Sequence, residues 1–145
     1  MLAAMAPNDQ APEAIPTRWE TSVGTLTMRP DGIAFFESHP GAEEGLSGAR
    51  EVVEGYRRLG GGRRLLAVAD IRLARSVDRE ARRYSAGVEM GAVVRGLALV
   101  VDSGVSKVLG NFFLSLNRPR FKMRLVGSVD EGVKWLQGLP AEQRS

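Results

Sequence analysis

The sequence predicts an α/β domain built on a mixed, mostly parallel five-stranded sheet. Two apolar runs, residues 65–69 and 96–101, have the length and continuity of strands that are buried on both faces. A helical pattern separates them, which is typical of a right-handed βαβ unit. A hairpin pattern precedes both runs. The complete predicted order is β-β-α-β-α-β-α-β-α, with helices surrounding the sheet.

Composition excludes several classes of site. The 145 residues contain no cysteine and one histidine, His39, so disulfides, thiolate metal sites and cysteine nucleophiles are absent and histidine triads are nearly excluded. Arginine supplies 17 of the 20 cations, and a net charge of +3 is poor evidence for nucleic-acid binding. No run is long and apolar enough for a transmembrane helix, and the N-terminus lacks the basic start of a signal peptide. We therefore expect a cytoplasmic protein.

We expect one domain with a short tail at each end. Residues 1–17 are predicted to be a disordered N-terminal tail, because they are rich in Pro and Ala and show no periodicity. The domain spans residues 18–139, where periodic segments follow one another without an internal repeat. The polar residues 140–145 are expected to fray.

A hairpin opens the domain. Residues 21–29 alternate polar and apolar side chains with the period of two that a half-buried strand requires. Pro30-Asp31-Gly32 predicts a tight turn, because proline presets φ and glycine accepts a positive φ. Residues 33–37 complete the hairpin.

An amphipathic helix is predicted over residues 42–59. Its apolar face is formed by residues at spacings of three and four: Leu46, Ala49, Val53 and Tyr56. Glu43 and Glu44 are expected near the positive end of this helix, where a carboxylate is favourable. The glycine run 60–62 ends the helix, since it precedes a strand rather than following one as a phosphate loop would.

The centre of the sequence is a strand, a turn and a helix. The strand, residues 64–70, ends at Asp70, an arginine-rich turn follows, and residues 77–91 predict a helix. The apolar strand 96–101 comes next and is followed by Asp102. The carboxyl ends of neighbouring parallel strands lie at one edge of a sheet, where functional residues are often found.

The last third of the chain predicts a helix, a strand and a second helix. Residues 107–116 are apolar on nearly every side, which is more than a helix covering one face of a sheet needs. We expect a homodimer interface there, formed by Leu109, Phe112, Phe113 and Leu116. Residues 120–126 alternate as a strand with outward cations, and Ser128 with Glu131 forms a capping box that opens the final helix.

Three segments carry a resemblance to a known superfamily. They read VADIRLARSVDREARRY, LALVVDSGVSKVLGNFFLSLNRP and DEGVKWLQGL. Together with the element order they resemble the STAS-like (SpoIIAA-like) superfamily over about residues 19–139, and they look closest to bacterial single-domain STAS/SEC14-like proteins of no assigned function. The resemblance implies a SpoIIAA-like fold.

The best-known members of this superfamily, the anti-sigma-factor antagonists, bind a kinase-like anti-sigma factor and are switched by phosphorylation of a serine. In those proteins a strand ends in Asp, and a D-S-S-G-like motif follows at the start of the next helix. Asp70 matches the strand-end Asp, and Asp78 can be laid on the Asp of the motif. Arg79 and Glu80 occupy the serine positions, so the phospho-switch does not carry over.

Asp70 and Asp102 admit two interpretations. As two carboxylates at one sheet edge, they suggest a Mg²⁺ site or a general acid and base. The structural interpretation, which we favour, pairs Asp70 with Arg72 or a nearby arginine and places Asp102 beside the start of the next helix.

Arginines recur at spacings of three and four through the turn and the helix that follow Asp70. The pattern predicts either a docking face for an acidic partner or a solvated helix face balanced by acidic neighbours. Ser76 lies among these arginines, so a phosphate added there would find cations nearby, which leaves a variant switch open. The candidate partner-binding or anion-binding residues are Arg72, Arg75, Ser76, Arg79 and Arg82.

No residue pattern amounts to a catalytic signature, so we predict a protein without enzymatic activity, cofactor or metal. The leading hypothesis is a STAS-like binding or regulatory domain that acts through protein–protein contacts, as a homodimer with a regulatory protein partner and without nucleic acid. The alternative is a small-molecule or lipid-binding SEC14-like carrier, which the surplus apolar surface of residues 108–116 suggests.

Overall fold

The computed structural model describes residues 14–102 and 121–141. Its strands are β1 (Arg18–Glu20), β2 (Gly24–Met28), β3 (Ala34–Ser38), β4 (Glu43–Glu44), β5 (Leu65–Asp70), β6 (Ser76–Val77), β7 (Val94–Val100) and β8 (Lys122–Val126). Its helices are α1 (Leu46–Gly60), α2 (Arg79–Ser85), α3 (Val88–Val93) and α4 (Val129–Gln137). The predicted helix 107–116 lies outside the described residues, and so does residue 120, the first of the predicted last strand.

The described strands form a six-stranded sheet in the order β1-β2-β3-β5-β7-β8 and a two-stranded sheet, β4-β6. The two pairings among β1, β2 and β3 are antiparallel, and the three among β3, β5, β7 and β8 are parallel. The mixed, mostly parallel α/β class is therefore confirmed, with one more strand in the main sheet than predicted. The additional strand is β1, whose three residues are too few to show a period of two.

The hairpin forms as predicted. The Gly32 amide donates a hydrogen bond to the Arg29 carbonyl oxygen at 3.0 Å, and Gly32 has a φ of +83°. The Asp31 carboxylate accepts a hydrogen bond from the Ile33 amide at 3.1 Å. Proline, aspartate and glycine thus each supply the conformation or contact that the turn needs.

The first helix begins later than predicted. α1 starts at Leu46, and the two glutamates expected in its first turn form β4 instead, which pairs in parallel with β6. Glu44 is buried in this pairing. The helix ends as predicted at the glycine run, because Gly61 adopts the left-handed conformation with φ of +58°.

The helix predicted over residues 77–91 is two short helices. Val77 belongs to β6, α2 occupies Arg79–Ser85, and α3 starts at Val88 after Gly87 in an extended conformation. Val88, the first residue of α3, is 57% exposed. The break has a local reason, since glycine in a helix interior is unfavourable and Gly87 instead serves as the N-cap residue of α3.

Helices cover both faces of the sheet. α1, α2 and α3 contribute to the larger apolar cluster on one face, and α4 packs on the other face through Val133 and Leu136. α4 is capped by Ser128, whose hydroxyl oxygen accepts a hydrogen bond from the Glu131 amide at 3.1 Å. Gly132 lets this helix approach closely, because a Cβ atom there would lie 2.9 Å from the Ala98 Cβ.

Candidate functional site

Asp70 and Asp102 follow neighbouring parallel strands, as the sequence predicts. β5 pairs with β7, and Asp70 lies opposite Val100, two residues before Asp102. The side chain of Asp70 is buried and accepts hydrogen bonds from the Arg72 guanidinium at 2.9 and 2.7 Å and from the Arg72 amide at 3.1 Å. Arg72 is thus the partner that the structural interpretation expects for Asp70, and the two form a bidentate ion pair.

The environment of Asp70 fixes its charge. Burial alone would raise the pKa of the Asp70 carboxyl group, but the hydrogen bonds and the charge of Arg72 outweigh burial and lower the pKa below its ordinary value. Asp102 is exposed and also favours the charged form of Arg72. In the described ranges, no three histidine, aspartate or glutamate side chains come together in a way that would hold a metal ion. The strand-end carboxylates thus support an arginine contact rather than acid–base chemistry.

The arginines after Asp70 do not share one face, because α2 begins at residue 79. Arg72 is held by Asp70, and Arg82 turns inward, where its guanidinium donates a hydrogen bond to the Val77 carbonyl oxygen at 2.7 Å. Arg75 and Arg79 are exposed. The structure thus places these arginines on different elements, and their role in binding a partner or an anion stays a prediction.

Ser76 and Asp78 lie on either side of Val77. Ser76 is exposed in β6, where it pairs with Glu43. Asp78 is the N-cap residue of α2, and its carboxylate accepts a hydrogen bond from the Ala81 amide at 2.9 Å. Asp78, which the resemblance aligns with the Asp of the family motif, therefore caps α2. Ser76 precedes Asp78 by two residues.

An open groove runs between α1 and α2, which we call the α1–α2 groove. Arg50 of α1 lies over the ring of Tyr84 at 5.8 Å from its centroid, a cation–π contact that joins the two sides. Arg79 and Arg83 line the same groove from α2. Its remaining lining residues are Leu46, Glu80, Gly87 and Glu89.

A second space, which we call the interior cavity, lies between the sheet and the three helices on its larger-cluster face. Its volume is about 50 Å³. Apolar side chains from β3, β5, β7 and β8 form most of its wall, together with Val52 of α1 and Met90 of α3. Three long polar side chains also reach this wall: Glu44, Tyr56 and Arg82.

Two polar groups of the interior cavity lack partners. The Tyr56 side chain is fully buried, and its hydroxyl group has no hydrogen-bond partner among the described residues. Glu44 is 7% exposed, and no hydrogen bond or ion pair joins its carboxyl group to a described residue. Burial, with a contribution from the charge of Asp78, raises the pKa of Glu44 to about 7.

The sequence-based interpretation missed this pair. Glu44 is expected at an exposed helix start, and Tyr56 is expected to be an ordinary member of an apolar helix face. The signal in the sequence is weak: Tyr56 is the one residue of that predicted face with a hydroxyl group. The burial of Glu44 depends on the pairing of β4 with β6, whose residues lie more than thirty positions apart.

The remaining candidates are not assembled with these sites. The predicted dimer residues Leu109, Phe112, Phe113 and Leu116 lie outside the described residues. His39 is half-exposed and lies 3.8 Å from a Glu20 carboxylate oxygen. Of the helices that the structure describes, none has both the length and the apolar character to cross a membrane.

Comparisons with known proteins agree with this fold. No curated protein matches the chain. The chain is similar to the crystal structure of an uncharacterized protein of the DUF3478 family with a SpoIIAA-like fold, from Shewanella loihica PV-4. The two are 14% identical with a TM-score of 0.52, and the alignment covers 78% of this chain and 91% of the other.

At that identity the likeness shows the fold alone, and it confirms the SpoIIAA-like resemblance. A family model described as "Domain of unknown function (DUF7793)" matches residues 26–140, which is most of the sequence. The chain therefore belongs to the DUF7793 family.

Proposed function

We propose that this protein is a non-enzymatic regulatory domain that binds a protein partner through the α1–α2 groove. The observation that carries the proposal is the set of three arginines in the groove, Arg50, Arg79 and Arg83. All three are exposed, and none forms an ion pair with a described residue. Their guanidinium groups are therefore available to carboxylates of a partner.

Several other arginines in the described part of the chain form ion pairs within it. Arg18 pairs with Glu20, Arg29 pairs with Asp31, and both Arg57 and Arg58 pair with Glu54. Exposed arginines without an ion pair to a described residue also occur outside the groove, as Arg63, Arg75 and Arg124 show. What distinguishes the groove is that three such arginines line one surface together. Because Glu80 and Glu89 also line the groove, a matching partner needs carboxylates opposite the arginines in a defined pattern, which favours specific over diffuse binding.

The other residues of the groove suit a protein interface. Arginine and tyrosine are enriched among the residues that dominate binding energy, and Tyr84 is half-buried beside Arg50. Leu46 supplies a partly exposed apolar surface next to them. The resemblance supports the same region, since the anti-sigma-factor antagonists are controlled at the start of the helix that corresponds to α2.

Affinity capture with charge-reversed variants tests the proposal. Tagged wild type, Arg79→Glu/Arg83→Glu and a control, Lys122→Glu/Arg124→Glu, are incubated with extract of the native host, and recovered proteins are quantified by mass spectrometry. Lys122 and Arg124 are exposed on the edge strand β8, so the control makes the same change in charge away from the groove.

We expect the groove variant to recover about tenfold less of a specific partner, which corresponds to about 1.4 kcal/mol of binding energy. The control variant should recover as much as wild type. Equal recovery by wild type and the groove variant would sink the proposal.

We also propose self-association, which the apolar character of residues 107–116 supports from the sequence alone. Sedimentation velocity of wild type and of Leu109→Lys/Phe113→Lys tests it. We expect a dimer for wild type and a monomer for the variant. A wild type that sediments as a monomer at the highest concentration measured rules this out.

The lipid-carrier alternative receives little support. The interior cavity of about 50 Å³ is several times the ~10–15 Å³ that holds one water molecule, but it is small beside an acyl chain. Native mass spectrometry of freshly purified protein is the direct check, and a co-purified lipid adduct would restore this alternative.

A further inference from the structure

We propose that the interior cavity is a binding site for a small, mostly apolar molecule that carries one carbonyl or carboxyl acceptor, with the Tyr56 hydroxyl group as its anchor. The site goes beyond the proposed partner surface and does not depend on it. Its described lining comes from the main sheet, β4, β6 and three helices.

The Tyr56 hydroxyl group is the first support. A buried hydroxyl without a partner is unfavourable, because it gives up its hydrogen bonds to water and gains none in return. A phenylalanine would fill the same space in α1 without that penalty. The hydroxyl belongs to a side chain on the wall of a cavity, so a molecule inside that cavity is in a position to accept its hydrogen bond.

Glu44 is the second support. It reaches the cavity from β4, on a different element from Tyr56, and its carboxyl group also lacks a partner among the described residues. No cation pairs with it there, and burial together with the charge of Asp78 favours the neutral form, which donates a hydrogen bond. Two side chains that can donate, from two different elements, thus line the same cavity.

The chemistry of the wall indicates an acceptor rather than a cation. Tyr56 and neutral Glu44 both donate, and the guanidinium group of Arg82 adds positive charge at the same wall. A ligand with a carbonyl or carboxylate oxygen matches the two donors, whereas an ammonium group would face the positive charge of Arg82.

The rest of the wall sets the size and shape of the ligand. Apolar side chains, including Val52, Leu97 and Leu99, dominate it, so the body of the ligand must be apolar. The volume of about 50 Å³ limits the ligand to a few non-hydrogen atoms. Met90 and Met123 also line the cavity, and their flexible side chains can adjust to small differences in ligand shape.

These methionines provide the test. The full chain is labelled with ¹³C at the methionine methyl groups, and methyl NMR spectra are recorded with four probes of similar size: 2-butanone, isobutyrate, isobutylamine and isopentane. Met28 is absent from the cavity wall and serves as an internal control. We expect 2-butanone, isobutyrate or both to shift the Met90 and Met123 signals and to leave Met28 unchanged.

The variant Tyr56→Phe keeps the ring and removes the anchor. We expect it to bind the acceptor probes about tenfold more weakly, as loss of one hydrogen bond of about 1.4 kcal/mol predicts, and to bind isopentane as wild type does. An unchanged Met28 signal and far-UV circular dichroism spectrum show that the variant is folded.

Three results would overturn the proposal: no probe shifts Met90 and Met123, isopentane or isobutylamine binds as tightly as the acceptor probes, or Tyr56→Phe binds the acceptor probes as tightly as wild type. A response to 2-butanone alone identifies a neutral carbonyl ligand, and a response to isobutyrate identifies a carboxylate ligand. Partner capture by the α1–α2 groove is scored separately, so the two proposals fail independently.

Discussion

Two carboxyl groups with nearly equal exposed fractions behave in opposite ways in this protein. Asp70 at the end of β5 is 6% exposed and Glu44 in β4 is 7% exposed. The pKa of Asp70 is lowered, because hydrogen bonds and charge from Arg72 outweigh burial, whereas burial and Asp78 raise the pKa of Glu44 to about 7. A small exposed fraction therefore does not decide the charge of a carboxyl group: Arg72 holds Asp70 in the charged form, whereas Glu44 is more strongly desolvated and has an anion, Asp78, beside it.

The end of β5 is a structural region, whereas the interior cavity is a candidate binding region. At the end of β5, Asp70 and Arg72 form hydrogen bonds to each other, so the Asp70 carboxylate needs no ligand to satisfy it. In the interior cavity, the Tyr56 hydroxyl group is buried without a partner among the described residues, and no described cation pairs with the Glu44 carboxyl group. Such groups reduce stability unless a ligand engages them, which is the pattern expected where stability and binding compete.

The largest expected effect is the pH dependence that Glu44 imposes on stability. Its folded pKa of about 7 lies above the ordinary value of 4.5, so between these values the folded protein holds a proton that the unfolded chain releases. The contribution of Glu44 to stability is intact below pH 4.5 and is lost as the pH rises through 7. At about 1.4 kcal/mol for each pKa unit, the loss is about 3 kcal/mol.

Urea unfolding of wild type and Glu44→Gln between pH 4.5 and 8 measures this effect. The variant should become more stable relative to wild type as the pH rises. The matched control is Glu43→Gln, a neighbour in β4 whose side chain is exposed. Asp78, Tyr56 and Arg82 surround Glu44 and are unchanged in both variants. A stability difference for Glu44→Gln that does not vary with pH would contradict the account.

The second effect is the loss of the Asp70–Arg72 pair. Asp70→Asn removes the charge that Arg72 contacts, and we expect a cost of about 2 kcal/mol, below the usual value for a buried pair because the Arg72 side chain is 39% exposed. The sign of the pH dependence is opposite to that of Glu44. The stabilisation is present above pH 3.8 and disappears as the pH falls through the lowered folded pKa.

A double-mutant cycle with Arg72→Gln checks this pair by urea unfolding. Because each single variant already removes the same interaction, the double variant should cost less than the sum of the two. Additive costs would mean that the ion pair contributes little to stability. Asp70 would then no longer be a stabilised counterpart to Glu44.

The third effect is a gain in stability. Tyr56→Phe removes a buried hydroxyl group without a partner, and we expect thermal and urea unfolding to show an increase of about 1 kcal/mol. A clear loss of stability would show that the hydroxyl group already has a partner, and the interior cavity would no longer need a ligand to satisfy it.

The smallest effect belongs to the α1–α2 groove. Arg79→Ala and Arg83→Ala should change the free energy of unfolding by less than ~0.5 kcal/mol, since both side chains are exposed and form no ion pair with described residues. Urea unfolding at low and moderate salt measures this. A loss above ~1 kcal/mol would assign these arginines a structural role instead of a role in partner binding.

The sequence was most informative where structure depends on local patterns. The continuous apolar runs predicted β5 and β7, the turn residues around Asp31 predicted the hairpin, and the capping box at Ser128 predicted the start of α4. The contact of Asp70 with Arg72 was also within reach, because the partners lie two positions apart in the sequence.

Features that depend on distant residues were not predicted. The pairing of β4 with β6 joins residues far apart in the chain, so Glu44 was assigned to a helix start rather than to the interior. The break at Gly87 was missed because apolar side chains continue on both sides of it. The interior cavity is lined from several strands and three helices, and no local pattern records such an assembly.

The most direct test of the contrast is an NMR titration of side-chain carboxyl carbons in one ¹³C-labelled sample of the full chain. The account predicts that Glu44 titrates with a midpoint near 7 while Asp70 titrates below 3.8. If Glu44 instead titrates near 4.5, its carboxyl group has a favourable partner or access to water, and the distinction between the two regions is wrong.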